Sequence, residues 1–370
     1  MLSARASQRE GTPRGPNVRG PLDALAKWAA EQPDKACYTF LGPKGAVQAS
    51  LTYAELEIAS LRVARHLRFV AKVAPGSTVL LVYPPGLDFI VAFLACLRAG
   101  IVAVPVFPPD PTHLSKDLAL FASTQASSGA RLALTNGAYN HAKKLAGLAQ
   151  LLKRHGGRWP AELQWLVTDL LPAPPPEAEA AALGEPAPRD VAFLQYTSGS
   201  TSDPKGVRVT HDNLAHNTAW ILHALRADQS TVEVSWLPQY HDMGLVGSYL
   251  GLLRCGGSGY YMSPFTFIKD PVLWLETISA RRGTHTQAPS FAYALAARKF
   301  TALPKTSRPA LRLDCLRHAI NGAEPIDTVA LDAFLDAFAP YGLRRDAVVP
   351  TYGLAEHTVF VATGGRARLA

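Results

Sequence analysis

The chain has few cysteines and no long uninterrupted hydrophobic run, and both shortages exclude classes of protein. Its 370 residues include four cysteines, Cys37, Cys96, Cys255 and Cys315, and none belongs to a CxxC pair. This spacing argues against a disulfide framework and against a metal cluster, and it favours a reducing compartment such as the cytoplasm. The longest apolar stretch, residues 78–107, is broken by prolines, a glycine and charged residues, so we expect no transmembrane segment.

The chain also lacks blocks of like charge. Lysine and arginine number 37 against 29 acidic residues, a net charge of +8, and no basic run interleaves with aromatic residues. A nucleic-acid-binding surface is therefore not expected, whereas anionic small molecules or an acidic partner protein suit a mildly basic surface. The first residues carry arginines without an apolar segment, which predicts a disordered tail over residues 1–20 rather than a secretory signal.

The remaining sequence alternates between strand-like and helix-like segments, and 48% of all residues are hydrophobic. Strand–helix–strand order with short links predicts an α/β fold with two mostly parallel sheets covered by helices. Thr52 and Glu55 form a T-x-x-E capping box that predicts a helix start. Residues 171–189 are rich in proline and alanine and predict a linker between a first α/β subdomain, 21–170, and a second, 190–370.

Four short stretches in the second half of the chain are candidates for ligand-binding or catalytic residues. The segment "LQYTSGSTSDPKGVRVTHDNL", 194–214, can form a phosphate-binding nest of backbone N–H groups around Lys205, although a polar surface turn has the same composition. The segment 235–247 places His241 and Asp242 where a strand meets a helix, a position at which ligands collect in open α/β sheets. The segments "INGAEP", 320–325, and "TYGLAEHT", 351–358, provide small residues, an aromatic ring and a carboxylate. Each of these, taken alone, has an ordinary structural interpretation.

Together, the motifs resemble the adenylate-forming (AMP-binding) superfamily in order and wording. "YTSGSTSDPKG" resembles its phosphate loop and "YGLAE" its adenine and magnesium motif. The wording "FLQYTSGSTSDPKGV", "WLPQYHDMGL", "NGAEPI" and "VPVFPPDP" is similar to fatty-acyl-AMP ligases. Two residues depart from the acyl-CoA synthetase pattern, since Ser202 stands for a glycine of the loop and Ala355 for a threonine of the later motif.

The resemblance implies a set of site residues, with ATP and Mg²⁺ as cofactors. The phosphates would be held by Thr197, Ser198, Gly199, Ser200, Thr201 and Lys205. Adenine would be bound by Asn321, Gly322, Ala323, Glu324, Tyr352 and Gly353, with the Tyr352 ring stacked on the base. Glu356 and Thr201 would ligate Mg²⁺, and His241 would lie beside the α-phosphate and the acyl carboxylate. Lys205 and Glu356 would also act in catalysis, while Asp242 would orient its turn.

The implied reaction is ATP-dependent activation of a fatty acid to acyl-adenylate and pyrophosphate. The acceptor would be a carrier-protein thiol, from an acyl carrier protein or a polyketide synthase module. A fatty carboxylate is ionised at neutral pH, so the reaction needs positioning and charge neutralisation rather than a general base. Two alternatives stay open: an acyl-CoA synthetase, or a truncated nucleotide- or acyl-binding module.

In the family this resemblance names, a β-barrel part and a small C-terminal domain follow the YGLAE motif. They carry an aspartate that binds ribose and a catalytic lysine, and neither part lies within the 370 residues. We therefore expect this chain to be C-terminally truncated and to form acyl-adenylate slowly.

Overall fold

A computed structural model describes residues 20–110, 114–152, 159–197 and 204–364. The strands are β1 Ala36–Leu41, β2 Val47–Thr52, β3 Thr78–Leu81, β4 Val102–Pro105, β5 Leu132–Thr135, β6 Gln164–Val167, β7 Val191–Thr197, β8 Lys205–Thr210, β9 Val232–Ser235, β10 Ser258–Met262, β11 His285–Ala288, β12 His318–Asn321, β13 Val348–Gly353 and β14 Phe360–Thr363. They form an eight-stranded sheet in the order β14-β13-β12-β11-β9-β10-β1-β2 and a six-stranded sheet in the order β6-β5-β3-β4-β7-β8. The expectation of two mostly parallel, helix-covered sheets is confirmed.

Twelve α-helices accompany the strands within the described ranges. They are α1 Pro21–Glu31, α2 Tyr53–Arg65, α3 Leu87–Arg98, α4 Leu114–Ser128, α5 Gly137–Leu152, α6 Pro176–Ala180, α7 His211–Leu225, α8 Gly251–Cys255, α9 Pro264–Lys269, α10 Val272–Arg281, α11 Ser290–Ala302 and α12 Thr328–Phe338. The predicted capping box of α2 is confirmed, since Thr52 and Glu55 exchange both hydrogen bonds. A π-helical segment, Met243–Leu250, precedes α8.

The two sheets share one large hydrophobic core because α3 lies between them. This helix contacts β2 of the eight-stranded sheet and β3, β4, β5 and β7 of the six-stranded sheet. Phe93 is fully buried there and packs edge-on against Phe193 of β7 at 5.5 Å. Each such buried aromatic side chain contributes about 1.5–3 kcal/mol through burial, so α3 fixes one sheet against the other.

Sheet membership does not follow the division expected from residues 171–189. The hairpin β1–β2 pairs with β10 of the eight-stranded sheet, although it lies far before that segment. The hairpin β7–β8, which follows the segment, pairs with β4 of the six-stranded sheet. Each predicted subdomain therefore lends strands to the other's sheet, because a strand's partner is chosen by packing of the whole chain.

The stretch after the phosphate-loop motif also differs from expectation. The sequence predicts a strand, a loop and then a helix from about residue 212, whereas the structure places β8 before the helix α7. The two strands that flank the motif, β7 and β8, pair antiparallel as the phosphate-loop hairpin, with Thr197 opposite Lys205. The sequence pattern does not predict strand β8, because Val207 and Val209 are its only strongly apolar residues.

None of the helices in the described residues is long and apolar enough to cross a membrane.

Candidate functional site

A cavity of about 310 Å³ opens at the carboxyl ends of the central strands of the eight-stranded sheet. Parallel α/β sheets bind ligands at this edge, because loops from several strands meet there. Six residues of the predicted site line this cavity. They are Thr197, His241, Gly322, Ala323, Gly353 and Glu356. Asp242 lines the cavity as well. Residues of three separate motifs and the last residue of the phosphate-loop strand therefore meet at this one cavity.

Thr197 is the last residue of β7 and brings the phosphate-loop hairpin to the cavity. Lys205 lies opposite it in the β7–β8 ladder, with an exposed side chain that does not line the cavity wall. The hairpin thereby places one ammonium group beside the strand end that faces the cavity. Ser198, Gly199, Ser200 and Thr201 lie outside the described residues, so their expected phosphate and metal contacts stay predictions.

His241 and Asp242 form a hydrogen-bonded pair at the start of the π-helical segment. Nδ1 of His241 lies 2.8 Å from Oδ1 of Asp242, and that bond raises the pKa of the imidazole against the opposing effect of burial. Asp242 also accepts a hydrogen bond from the backbone N–H of Met243 at 2.6 Å. Asp242 therefore orients the turn as expected from the sequence, and it also favours the charged form of His241.

The turn after β12 presents backbone rather than side chains to the cavity. A Cβ atom at Gly322 would lie 2.8 Å from the carbonyl oxygen of Thr351, so only glycine fits. Ala323 has a φ of +69°, a strained conformation for a residue with a side chain. Functional sites concentrate such strain, which the surrounding structure must hold in place.

The two polar residues of this turn are engaged with the protein itself. Asn321 is completely buried, accepts a hydrogen bond from Ser290 Oγ at 3.2 Å, and leaves Nδ2 without a partner among the described residues. Glu324 accepts a hydrogen bond from the N–H of Phe291 at 2.9 Å, at the N-terminus of α11. Neither residue lines the cavity, and both form hydrogen bonds with the start of α11. Their expected contacts with adenine stay predictions.

The turn after β13 supplies the carboxylate of the site. A Cβ atom at Gly353 would lie 2.1 Å from the carbonyl oxygen of Val359, which makes glycine obligatory where the turn folds back. Glu356 lines the cavity and has no hydrogen-bonding partner in the part of the chain described. Tyr352 is 61% exposed and lies outside the cavity wall, so its stacking on a base also stays a prediction.

The donor set at Glu356 fits Mg²⁺ held jointly with a ligand's phosphates. Within the described ranges no cluster of three or more His, Cys, Asp or Glu side chains is arranged to hold a metal. Mg²⁺ needs no such cluster, because it keeps several waters and binds through one or two carboxylates plus substrate phosphates. An unpartnered carboxylate beside a phosphate-loop hairpin matches that requirement.

Part of the cavity wall is apolar, and no sequence motif predicts it. Ile221 and Leu225 of α7, Met243, and Ile320 of β12 form its walls. Gln287 of β11 is the exception, and it faces Gly247 of the π-helical segment. One sequence signal could have pointed to Gln287. Alternation along the short strand "HTQA" places its side chain on the same face of the sheet as that of His285.

Gln195 supports the site from the six-stranded sheet. It is buried in β7, and its Nε2 donates to the carbonyl of Tyr240 at 3.1 Å, directly before His241. The phosphate-loop strand and the histidine turn are therefore joined by one side chain. Sequence reasoning missed it, because a glutamine inside an apolar strand has no motif that marks it.

The fold and the cavity define an α/β protein with a candidate ligand site at the carboxyl edge of a parallel sheet, lined by apolar residues and by residues of the sequence motifs. The chain belongs to the AMP-binding enzyme family, whose model matches residues 25–369. The resemblance inferred from the motifs is thereby confirmed.

Several similar proteins activate fatty acids. The chain is 37% identical over 359 residues to the medium-chain-fatty-acid–acyl-carrier-protein ligase JamA of Moorena producens, covering 94% of this chain and 57% of that protein. It is 31% identical over 372 residues to a long-chain-fatty-acid–AMP ligase of Mycolicibacterium smegmatis, covering 96% and 55% respectively. A fatty acyl-adenylate ligase from L. pneumophila, solved with acyl adenylate and pyrophosphate, superimposes with a TM-score of 0.81 at 32% identity, covering 94% and 57%. The chain thus spans little more than half the length of these relatives.

Proposed function

We propose that this chain is the nucleotide- and acyl-binding part of a fatty-acyl-AMP ligase. The protein would convert a fatty acid and ATP to acyl-adenylate and pyrophosphate. The observation that carries this proposal is the single cavity lined by Thr197, His241, Gly322, Gly353 and Glu356, with an apolar extension behind it. Polar groups at the strand ends suit a nucleotide, and the apolar extension suits an alkyl chain.

The reaction joins a carboxylate oxygen of the fatty acid to the α-phosphorus of ATP and breaks the bond to the β-phosphate. The main obstacle is repulsion between the carboxylate and the triphosphate, since both are anions at neutral pH. His241, with its pKa raised by Asp242, would bring positive charge beside the reacting groups. Lys205 would bind the outer phosphates, and Mg²⁺ at Glu356 would neutralise further phosphate charge.

The apolar extension would align the acyl chain, so that the carboxylate lies at the strand ends. Burial of each methylene contributes about 0.8 kcal/mol, which allows selection by length without polar contacts. The acceptor of the acyl group would be the thiol of an acyl carrier protein or a polyketide synthase module. Relatives named as acyl-carrier-protein ligases support this choice of partner. Location in the cytoplasm is also proposed, since all four cysteines are free.

The test is incubation of the chain with ATP, Mg²⁺ and a fatty acid, with and without CoA or a carrier protein. Accumulation of acyl-adenylate in the presence of CoA, followed by transfer to the carrier protein, is the expected result. Formation of acyl-CoA would assign the chain to the acyl-CoA synthetases instead. ATP binding without pyrophosphate release would indicate a binding module, and absence of ATP binding would contradict the proposal.

A further inference from the structure

One polar side chain, Gln287, interrupts the apolar inner part of the cavity. Its strand pairs in register with β12, so Gln287 lies level with Ile320 and below the strand ends that carry His241 and Glu356. Three other residues that line the cavity, Ile221, Leu225 and Met243, are apolar. An alkyl chain would pack well against them, but it offers no partner to a carboxamide.

A buried carboxyl group lies directly behind Gln287. Glu233 of β9 pairs in register with His285, two residues before Gln287, so both side chains project from the same face of the sheet. Glu233 is 4% exposed and is the only acidic residue among the buried residues of the described chain. Its Oε1 accepts a hydrogen bond from Ser248 Oγ at 2.9 Å, and the nearby Gln287 side chain lowers the pKa of the same carboxyl group against the larger effect of burial.

The two ends of the Gln287 amide differ in their surroundings. The carboxamide oxygen lies closer than the NH₂ group to Gly247. A Cβ atom at position 247 would lie 2.7 Å from Oε1 of Gln287 but 3.6 Å from Nε2. Since Gly247 has no side chain to cover it, Oε1 stays accessible as an acceptor in the cavity wall.

We propose that Gln287 Oε1 accepts a hydrogen bond from a hydroxyl group on the acyl chain, so that the preferred substrate is a hydroxylated fatty acid. This inference rests on the proposed function and narrows its substrate class. A plain alkyl chain at this depth leaves the buried oxygen unpaired, which disfavours it by about tenfold relative to the correctly placed hydroxy acid.

The experiment compares binding of decanoic acid with its 3-, 5- and 7-hydroxy derivatives by isothermal titration calorimetry, with ATP omitted. The series moves the hydroxyl group along the chain, so one isomer should reach Gln287 and bind about tenfold more tightly than decanoic acid. Gln287→Leu should abolish this preference while leaving decanoic acid bound as tightly as before or more so. Met243→Leu changes an apolar wall residue of similar size and should retain the preference.

Gln287→Leu places an apolar side chain beside the buried Glu233, so the double variant Glu233→Gln, Gln287→Leu provides the same test without a buried ionisable group. Equal binding of all four acids, or a preference that survives in the folded Gln287→Leu or double variant, overturns the inference. Pyrophosphate release with ATP is measured separately. Equal pyrophosphate release with every acid would support the proposed function and contradict this inference. Preferred binding of one hydroxy acid without any pyrophosphate release would support this inference and contradict the proposed function.

Discussion

The carboxamide of Gln239 pairs with the backbone of Gly86 through both of its polar atoms. Oε1 of Gln239 accepts from the N–H of Gly86 at 3.0 Å, and Nε2 donates to the Gly86 carbonyl at 2.9 Å. Gly86 precedes α3, the helix between the sheets, while Gln239 precedes His241 by two residues. These two hydrogen bonds therefore fix the position of the turn that carries His241 relative to helix α3.

Loss of this pair should weaken both stability and the site. Gln239→Ala removes both hydrogen bonds to the half-buried backbone of Gly86, so the free energy of unfolding should fall by about 1–3 kcal/mol. Urea unfolding measures this change, and the rate of acyl-adenylate formation should fall with it. Gln229→Ala is the matched control, because Gln229 is exposed and its side chain makes no hydrogen bond in the described structure. Equal stability of the two variants would contradict the linking role.

Glu233 should make stability depend on pH in an unusual direction. Burial raises its pKa from 4.5 to about 7, so the folded protein keeps a proton that the unfolded chain releases above about pH 4.5. Between those values the unfolded state binds fewer protons, and stability falls as the pH rises; above about pH 7 this decline ends. The full effect is about 3 kcal/mol at most. Glu233→Gln removes the titration, so it should gain stability relative to the parent between pH 5 and 8, measured by urea unfolding at each pH.

The sequence predicted those parts of the fold that depend on local pattern. The capping box at Thr52 follows from spacing alone, because its signal lies within one element. The pairing of β1 with β10 did not follow, since a strand's partner is chosen by packing of the whole chain. The site divides in the same way. Motif wording drew attention to His241, Gly353 and Glu356, whereas Gln239 and Gln287 act through contacts with residues distant in sequence.

Gly353 should tolerate no side chain. The carbonyl oxygen of Val359 lies 2.1 Å from where a Cβ atom would be placed, and a backbone atom cannot move aside cheaply. Gly353→Ala should therefore displace the turn that carries Glu356, lower the free energy of unfolding by about 1–3 kcal/mol and weaken ATP binding. Gly184→Ala is the control, since no atom lies within 4 Å of its added Cβ. Thermal melting and calorimetric titration with ATP compare the two, and unchanged ATP affinity in Gly353→Ala would refute the assignment.

Lys205 should distinguish triphosphate from monophosphate. It lies opposite Thr197 at the base of the phosphate-loop hairpin, and its ammonium group is proposed to bind the outer phosphates rather than adenosine. Lys205→Ala should weaken ATP binding by about tenfold or more, the value of a hydrogen bond to a charged group, and leave AMP binding nearly unchanged. Lys299→Ala removes an exposed lysine of α11 and controls for net charge. A parallel loss of ATP and AMP affinity would instead indicate damage to the hairpin.

Asp242 should control the charge of His241 separately from the structure of its turn. The hydrogen bond from Nδ1 of His241 to Asp242 raises the histidine pKa, and Asp242 also accepts from the N–H of Met243. Asp242→Asn keeps an oxygen for the Met243 bond but removes the negative charge, so the His241 pKa should fall while the turn persists. NMR titration of the histidine ring protons measures the shift, with the other histidines as internal controls. Because the charged imidazole is the form proposed to face the two anions, acyl-adenylate formation by Asp242→Asn should decline at a lower pH than in the parent as the pH is raised. An unchanged pH profile alongside a lowered His241 pKa would exclude the imidazolium from the reaction.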